Sequence, residues 1–102
     1  MALHRIAATT DIPSGEARAF GVAGRRIAVF NIGGKFQAID DTCPHDGGPL
    51  SEGMMEDDCV TCPWHGATFE LCTGKEQTSL AGEDVRSYDV VIEGEDLSVE
   101  IE

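Results

Sequence analysis

The stretch from Asp41 to Lys75 constrains the fold more than any other part of the sequence. It holds all four cysteines, three of the four prolines and five of the twelve glycines. No apolar pattern in it sustains a helical period for three turns. The middle of the chain must therefore be built from loops and short extended pieces, and "DCVTC" and "ATFEL" read as strands within it. On its N-terminal side, residues 17–40 read as a meander. "ARAFGV", "RRIAVFNI" and "KFQAID" are separated by Ala23-Gly24 and Gly33-Gly34, two-residue glycine turns of the hairpin kind. On its C-terminal side "VRSYDVVIE" and "LSVEIE" flank Gly94-Glu95-Asp96, and near the start "HRIAA" is a further strand followed by the turn-like "DIPSG". The expected fold class is all-β: an antiparallel β-sandwich or barrel with an inserted, loop-built subdomain over about residues 41–75. A chain of 102 residues is too short for two cores, so one domain, 1–102, is expected.

The net charge of −12 is unevenly spread. No Lys or Arg occurs from Phe36 to Gly74, a span that contains Asp40, Asp41, Asp46, Glu52, Glu56, Asp57, Asp58 and Glu70. A field of that sign repels phosphate backbones and anionic lipid, so nucleic acid and membrane surfaces are poor partners and proteins with basic docking faces are good ones. The blander reading is that the charge serves solubility alone. The N-terminal "MALHRIAATTDI" lacks the apolar run of a secretory signal, and no run approaches the roughly 18 residues of a membrane span. The expected location is the cytoplasm. There, four cysteines read as metal ligands or thiols before they read as a disulfide framework.

Cys43-Pro44-His45 and Cys62-Pro63-Trp64-His65 spell C-x-H and C-x-x-H with sixteen residues between them. Each half offers a soft thiolate and an imidazole from a loop whose proline fixes φ and whose glycines allow a sharp turn. Four such ligands satisfy a tetrahedral zinc ion, and on ligand count alone a structural zinc site is the first reading. Spacing argues otherwise. Structural zinc pairs come as C-x₂₋₄-C or H-x₃₋₅-H, whereas C-x-H crowds two ligands onto an extended stretch. A binuclear centre relieves the crowding, because neighbouring ligands can go to different metal atoms.

These residues carry a specific resemblance. "CPHDGGPL" and "CPWHGATFELCTGK" are similar to the two cluster-binding loops of Rieske [2Fe–2S] proteins, and the family's size and all-β architecture match the whole chain in outline. The resemblance implies one [2Fe–2S] cluster per chain, with Cys43 and Cys62 on one iron and His45 and His65 on the other. Two ferric ions, two sulfides and two thiolates sum to zero, against about −2 for an all-cysteine cluster. Adding an electron then costs less, and the potential lies above that of plant-type ferredoxins.

Departures from the family's respiratory members narrow the expectation further. Gly48 and Trp64 stand where those members carry the two cysteines of a bracing disulfide, and Ala67 and Phe69 stand where they aim serine and tyrosine hydroxyls at cluster sulfurs. Without those hydrogen bonds the potential is expected at the low end of the Rieske range, roughly −150 mV. The chain resembles the soluble ferredoxins of bacterial ring-hydroxylating oxygenases. The implied role is a one-electron carrier, not an enzyme, between an NAD(P)H-dependent flavoprotein reductase and a terminal oxygenase. Electrons would pass at the outer edges of His45 and His65, with Asp46, Glu52, Asp57 and Asp58 steering basic partners. The alternative is a subunit resembling the small subunit of assimilatory nitrite reductase, a group that commonly lacks the ligands. Among the remaining residues, Cys59 and Cys72 read as small buried hydrophobes, despite the C-x-x-C spacing of Cys59 and Cys62. His4 reads as a strand residue. Trp64 is expected to pack over the second loop and exclude water, and Gly47, Gly48 and Pro49 to let the first loop wrap the sulfides.

Overall fold

The computed structural model describes residues 2–44, 47–64, 66–78 and 83–101. Within them run β1 (Ala2–Ala8), β2 (Ala17–Val22), β3 (Arg25–Ile32), β4 (Lys35–Asp40), β5 (Met54–Glu56), β6 (Cys59–Thr61), β7 (Thr68–Glu70), β8 (Ser87–Tyr88), β9 (Val90–Glu93) and β10 (Asp96–Ile101). Short 3₁₀ turns lie at Thr9–Asp11 and Leu50–Glu52. Every strand pair is antiparallel, in three sheets of order β1-β10-β9, β2-β3-β4-β8 and β5-β6-β7. The all-β expectation holds, and among the described residues no helix is long and apolar enough to cross a membrane.

The four-stranded sheet is the middle layer, and the sequence of β3 says why. "IAVFN", Ile27 to Asn31, is buried at every position, as a strand covered on both faces must be. Ile27 and Val29 pack with Leu97, Val99 and Ile101 of the first sheet. Ala28 and Phe30, on the opposite face, pack with Leu50, Val60, Phe69 and Leu71 of the third sheet and its loops. In β4, Ala38 and Ile39 divide between the same two clusters. The inserted subdomain is therefore a second layer laid on the middle sheet. Buried Asn31 holds the seam, its amide donating to Ile12 O at 2.7 Å while its Oδ1 accepts from Gly34 N–H at 2.8 Å.

The hairpins close as their glycines require, with Val22 opposite Arg25, Ile32 opposite Lys35 and Glu93 opposite Asp96. The β5–β6 hairpin was not anticipated. Its two-residue turn is Asp57-Asp58, at φ 51° and 65°, a left-handed pair that normally calls for Asn-Gly. With neither residue a glycine, the run reads as a surface acidic stretch.

Candidate metal centre

The first loop leaves β4 through a narrow neck. Leu50 N–H donates to Asp41 O at 2.6 Å, Thr42 bridges Pro49, and Cys43 N–H donates to Gly48 O at 2.9 Å. Above this neck the chain folds back in one turn, closed by Gly47 N–H to Cys43 O at 2.8 Å. The second loop closes in the same way. Cys62 N–H donates to Ala67 O at 2.7 Å, and Gly66 N–H to Cys62 O at 3.2 Å. In each loop the cysteine is followed by proline, and the fourth residue on is a glycine in the left-handed region, φ 80° at Gly47 and 82° at Gly66. An L side chain is strained there. The two loops thus share one backbone closure. Glu70, Gly74 and Lys75 repeat the closure a third time, with bonds of 2.7 and 2.8 Å.

Both cysteines at the loop bases are buried, Cys43 to 1% and Cys62 to 2% exposure, in one apolar cluster with Ala67, Phe69 and Leu71. None of the four cysteines is in a disulfide. The donor chemistry fits an iron–sulfur centre: two soft sulfurs, set by matching loops into one apolar surrounding. His45, His65 and the expected steering residue Asp46 lie outside the described residues. Among the described residues no three His, Cys, Asp or Glu side chains gather at one point.

Three expectations need correction. Trp64 does not pack over its loop but is 59% exposed. The Cys62-to-Gly66 closure throws Pro63 and Trp64 to the outer side of the turn. Cys72 is exposed, because Leu71 takes the buried place and leaves Cys72 in the third loop's turn. Cys59 is only half buried; Val60 faces inward opposite Phe69, while Cys59 faces out with Glu56 and Glu70 as cross-strand neighbours. Burial first, then Glu70, Asp58 and Asp57, push its thiol up, which disfavours the thiolate needed for ligation. His4 lies in β1 as expected.

Sequence reasoning missed Asp41, which it counted only among the acids of the span without Lys or Arg. The structure buries it and pairs it with Arg26. Asp40, also in that tally, accepts from Tyr88 OH at 2.5 Å. Neither residue belongs to a recognisable spacing, since its partner comes from a distant strand.

The chain's residues 2–89 match the family model described as the Rieske [2Fe-2S] domain. It is 41% identical over 102 residues to the ferredoxin component of biphenyl 2,3-dioxygenase from Rhodococcus jostii (strain RHA1), covering all of this chain and 95% of that one. Among solved structures it is similar to the ferredoxin of carbazole 1,9a-dioxygenase from Nocardioides aromaticivorans IC177, with TM-score 0.91, 29% identity and 97% of each chain covered. A chain in a complex of reduced oxygenase and oxidized ferredoxin in carbazole 1,9a-dioxygenase matches with TM-score 0.88 and 31% identity, over 95% of this chain and 91% of that one.

Proposed function

Because this chain belongs to the Rieske [2Fe–2S] domain family, we propose that Cys43 and Cys62 give their thiolates to one iron of a [2Fe–2S] cluster and His45 and His65 their imidazole nitrogens to the other. The protein is an electron carrier of the ferredoxin kind rather than a catalytic subunit. In this reading it takes one electron from an NAD(P)H-dependent flavoprotein reductase in the cytoplasm and passes it to a terminal ring-hydroxylating oxygenase. When bound, the cluster supplies reversible one-electron storage.

The observation that carries the ligand assignment is the burial of Cys43 and Cys62 in one apolar cluster on loops of identical closure. The chain's own residues then do three things. The loops fix the two sulfurs. Ala67 and Phe69, both buried and neither bearing a hydroxyl, offer no hydroxyl donor to cluster sulfurs, which keeps the potential low within the Rieske range. Exposed Glu52, Asp57 and Asp58 lend the subdomain a negative face for basic partners. The oxygenase half of the partnership is supported by the relatives' names and by the solved ferredoxin–oxygenase complex.

Iron and labile sulfide analysis of single variants tests the assignment. Cys43→Ser and Cys62→Ser should each lose the cluster, while Cys59→Ser and Cys72→Ser keep full iron and colour. Iron retained in Cys43→Ser, or lost in Cys72→Ser, would overturn it.

A further inference from the structure

Asp41 stands at the foot of the first loop's neck and is 1% exposed. A carboxylate at that depth is tolerated only when it is paired and hydrogen-bonded. Both conditions are met: Oδ2 accepts from Arg26 Nε at 2.7 Å and Oδ1 from the Ser51 N–H at 2.7 Å. Its main chain is equally engaged, the N–H donating to Arg26 O at 3.0 Å and the carbonyl accepting from Leu50 N–H at 2.6 Å. One residue therefore ties the start of β3, the outgoing limb of the loop and the 3₁₀ turn that receives the returning limb. The pair is lopsided, for the Arg26 side chain is 63% exposed. The negative member lies inside, two residues from Cys43, and the positive member faces solvent.

We propose that the Arg26–Asp41 pair is a positioning element that holds the first cluster loop on the middle sheet and at the same time biases the ease of its reduction. The proposal rests on the reading of Cys43 as a ligand. A buried negative charge beside a site that gains an electron opposes reduction, and Arg26 offsets part of that opposition. The two halves of the pair therefore act with opposite signs. Removing the carboxylate charge favours the reduced form, and removing the guanidinium favours the oxidised form. A bracket with no electrostatic part would loosen the loop in both variants without splitting the signs.

Redox titration of the holoprotein reads the split directly. Asp41→Asn should be easier to reduce than wild type and Arg26→Gln harder, each by about three- to tenfold in the reduction equilibrium, a tenfold change being about 59 mV for one electron. Arg26→Lys, which keeps the charge, should stay within about twofold of wild type, and the double variant Asp41→Asn/Arg26→Gln should return close to it. Shifts of the same sign, or none in Asp41→Asn, would overturn the electrostatic bias. Should Arg26→Gln fail to hold the cluster, Asp41→Asn against Arg26→Lys decides alone. The positioning half has its own readout in amide hydrogen exchange of the holoprotein. Asp41→Ala should speed hydrogen exchange at the Leu50 and Ser51 amides about tenfold or more with β2 and β3 unchanged, and unchanged exchange at both amides would overturn it. Iron surviving Cys43→Ser would sink the ligand reading instead, so the two failures are distinguishable.

Discussion

Tyr88 shows how much a single side chain contributes to joining the strand ends beneath the cluster loops. Its ring is buried, its hydroxyl donates to Asp40 Oδ1 at 2.5 Å, and the Arg25 guanidinium lies 6.0 Å over the ring. Burial first, then the hydrogen bond to Asp40, raise its pKa above the ordinary 10.0. The folded state thus favours the protonated phenol. Its stabilisation is fully present below the unfolded value and is lost as pH rises through the higher folded one. Tyr88→Phe should cost about 2 kcal/mol at neutral pH, since Asp40 loses a donor. In denaturant unfolding above pH 10, the variant should also lose less stability with rising pH than wild type; parallel pH profiles would contradict this account. None of it was legible in the sequence, where Tyr88 is one residue of a strand pattern and Asp40 one acid among many.

At the scale of elements, strand periodicity and glycine turns gave the bounds of β2, β3 and β4 to the residue. The sequence was legible there because the local signal and the tertiary pattern agree. It failed at β5, where Asp57-Asp58 makes a left-handed turn without glycine, and at the third loop, whose closure repeats that of the Cys43 and Cys62 loops. That third closure also carries a tight packing constraint. A Cβ on Gly74 would sit 2.1 Å from Val85 O, at φ 77°, whereas one on Gly47 would meet nothing within 4 Å among the described residues. Gly47→Ala should therefore cost only backbone strain, about 1–2 kcal/mol. Gly74→Ala should cost about 3 kcal/mol or more, because the Val85 segment must also shift. Thermal unfolding of the two variants measures the difference. Equal losses would show that the segment around Val85 yields freely.

Across the whole molecule the charge is polarised. Residues 1–39 carry five of the seven basic side chains and two of the nineteen acidic ones. The remainder is strongly acidic, though the pairing of Asp41 with Arg26 offsets one of the charges that the sequence tally places at the cluster subdomain. The exposed acids that remain should still steer partners. Electron transfer to a basic partner should slow about tenfold or more as ionic strength rises from low to several hundred millimolar, and a flat dependence in stopped-flow mixing would remove the steering role. The cysteine-and-histidine spacing was the legible part of the proposed site, because ligation demands particular residues at particular intervals. The backbone closure shared by the loops and the Arg26–Asp41 anchor were illegible, because they depend on hydrogen bonds between main-chain atoms and distant strands.

The central claim is that two thiolates and two imidazoles of this chain hold one binuclear cluster. Pulsed EPR of the chemically reduced protein tests it most directly, because only a histidine-ligated cluster places nitrogen on the paramagnetic centre. The account predicts couplings from two ligating imidazole nitrogens, lost on removal of His45 or His65. A reduced iron–sulfur signal without directly bound nitrogen would contradict it.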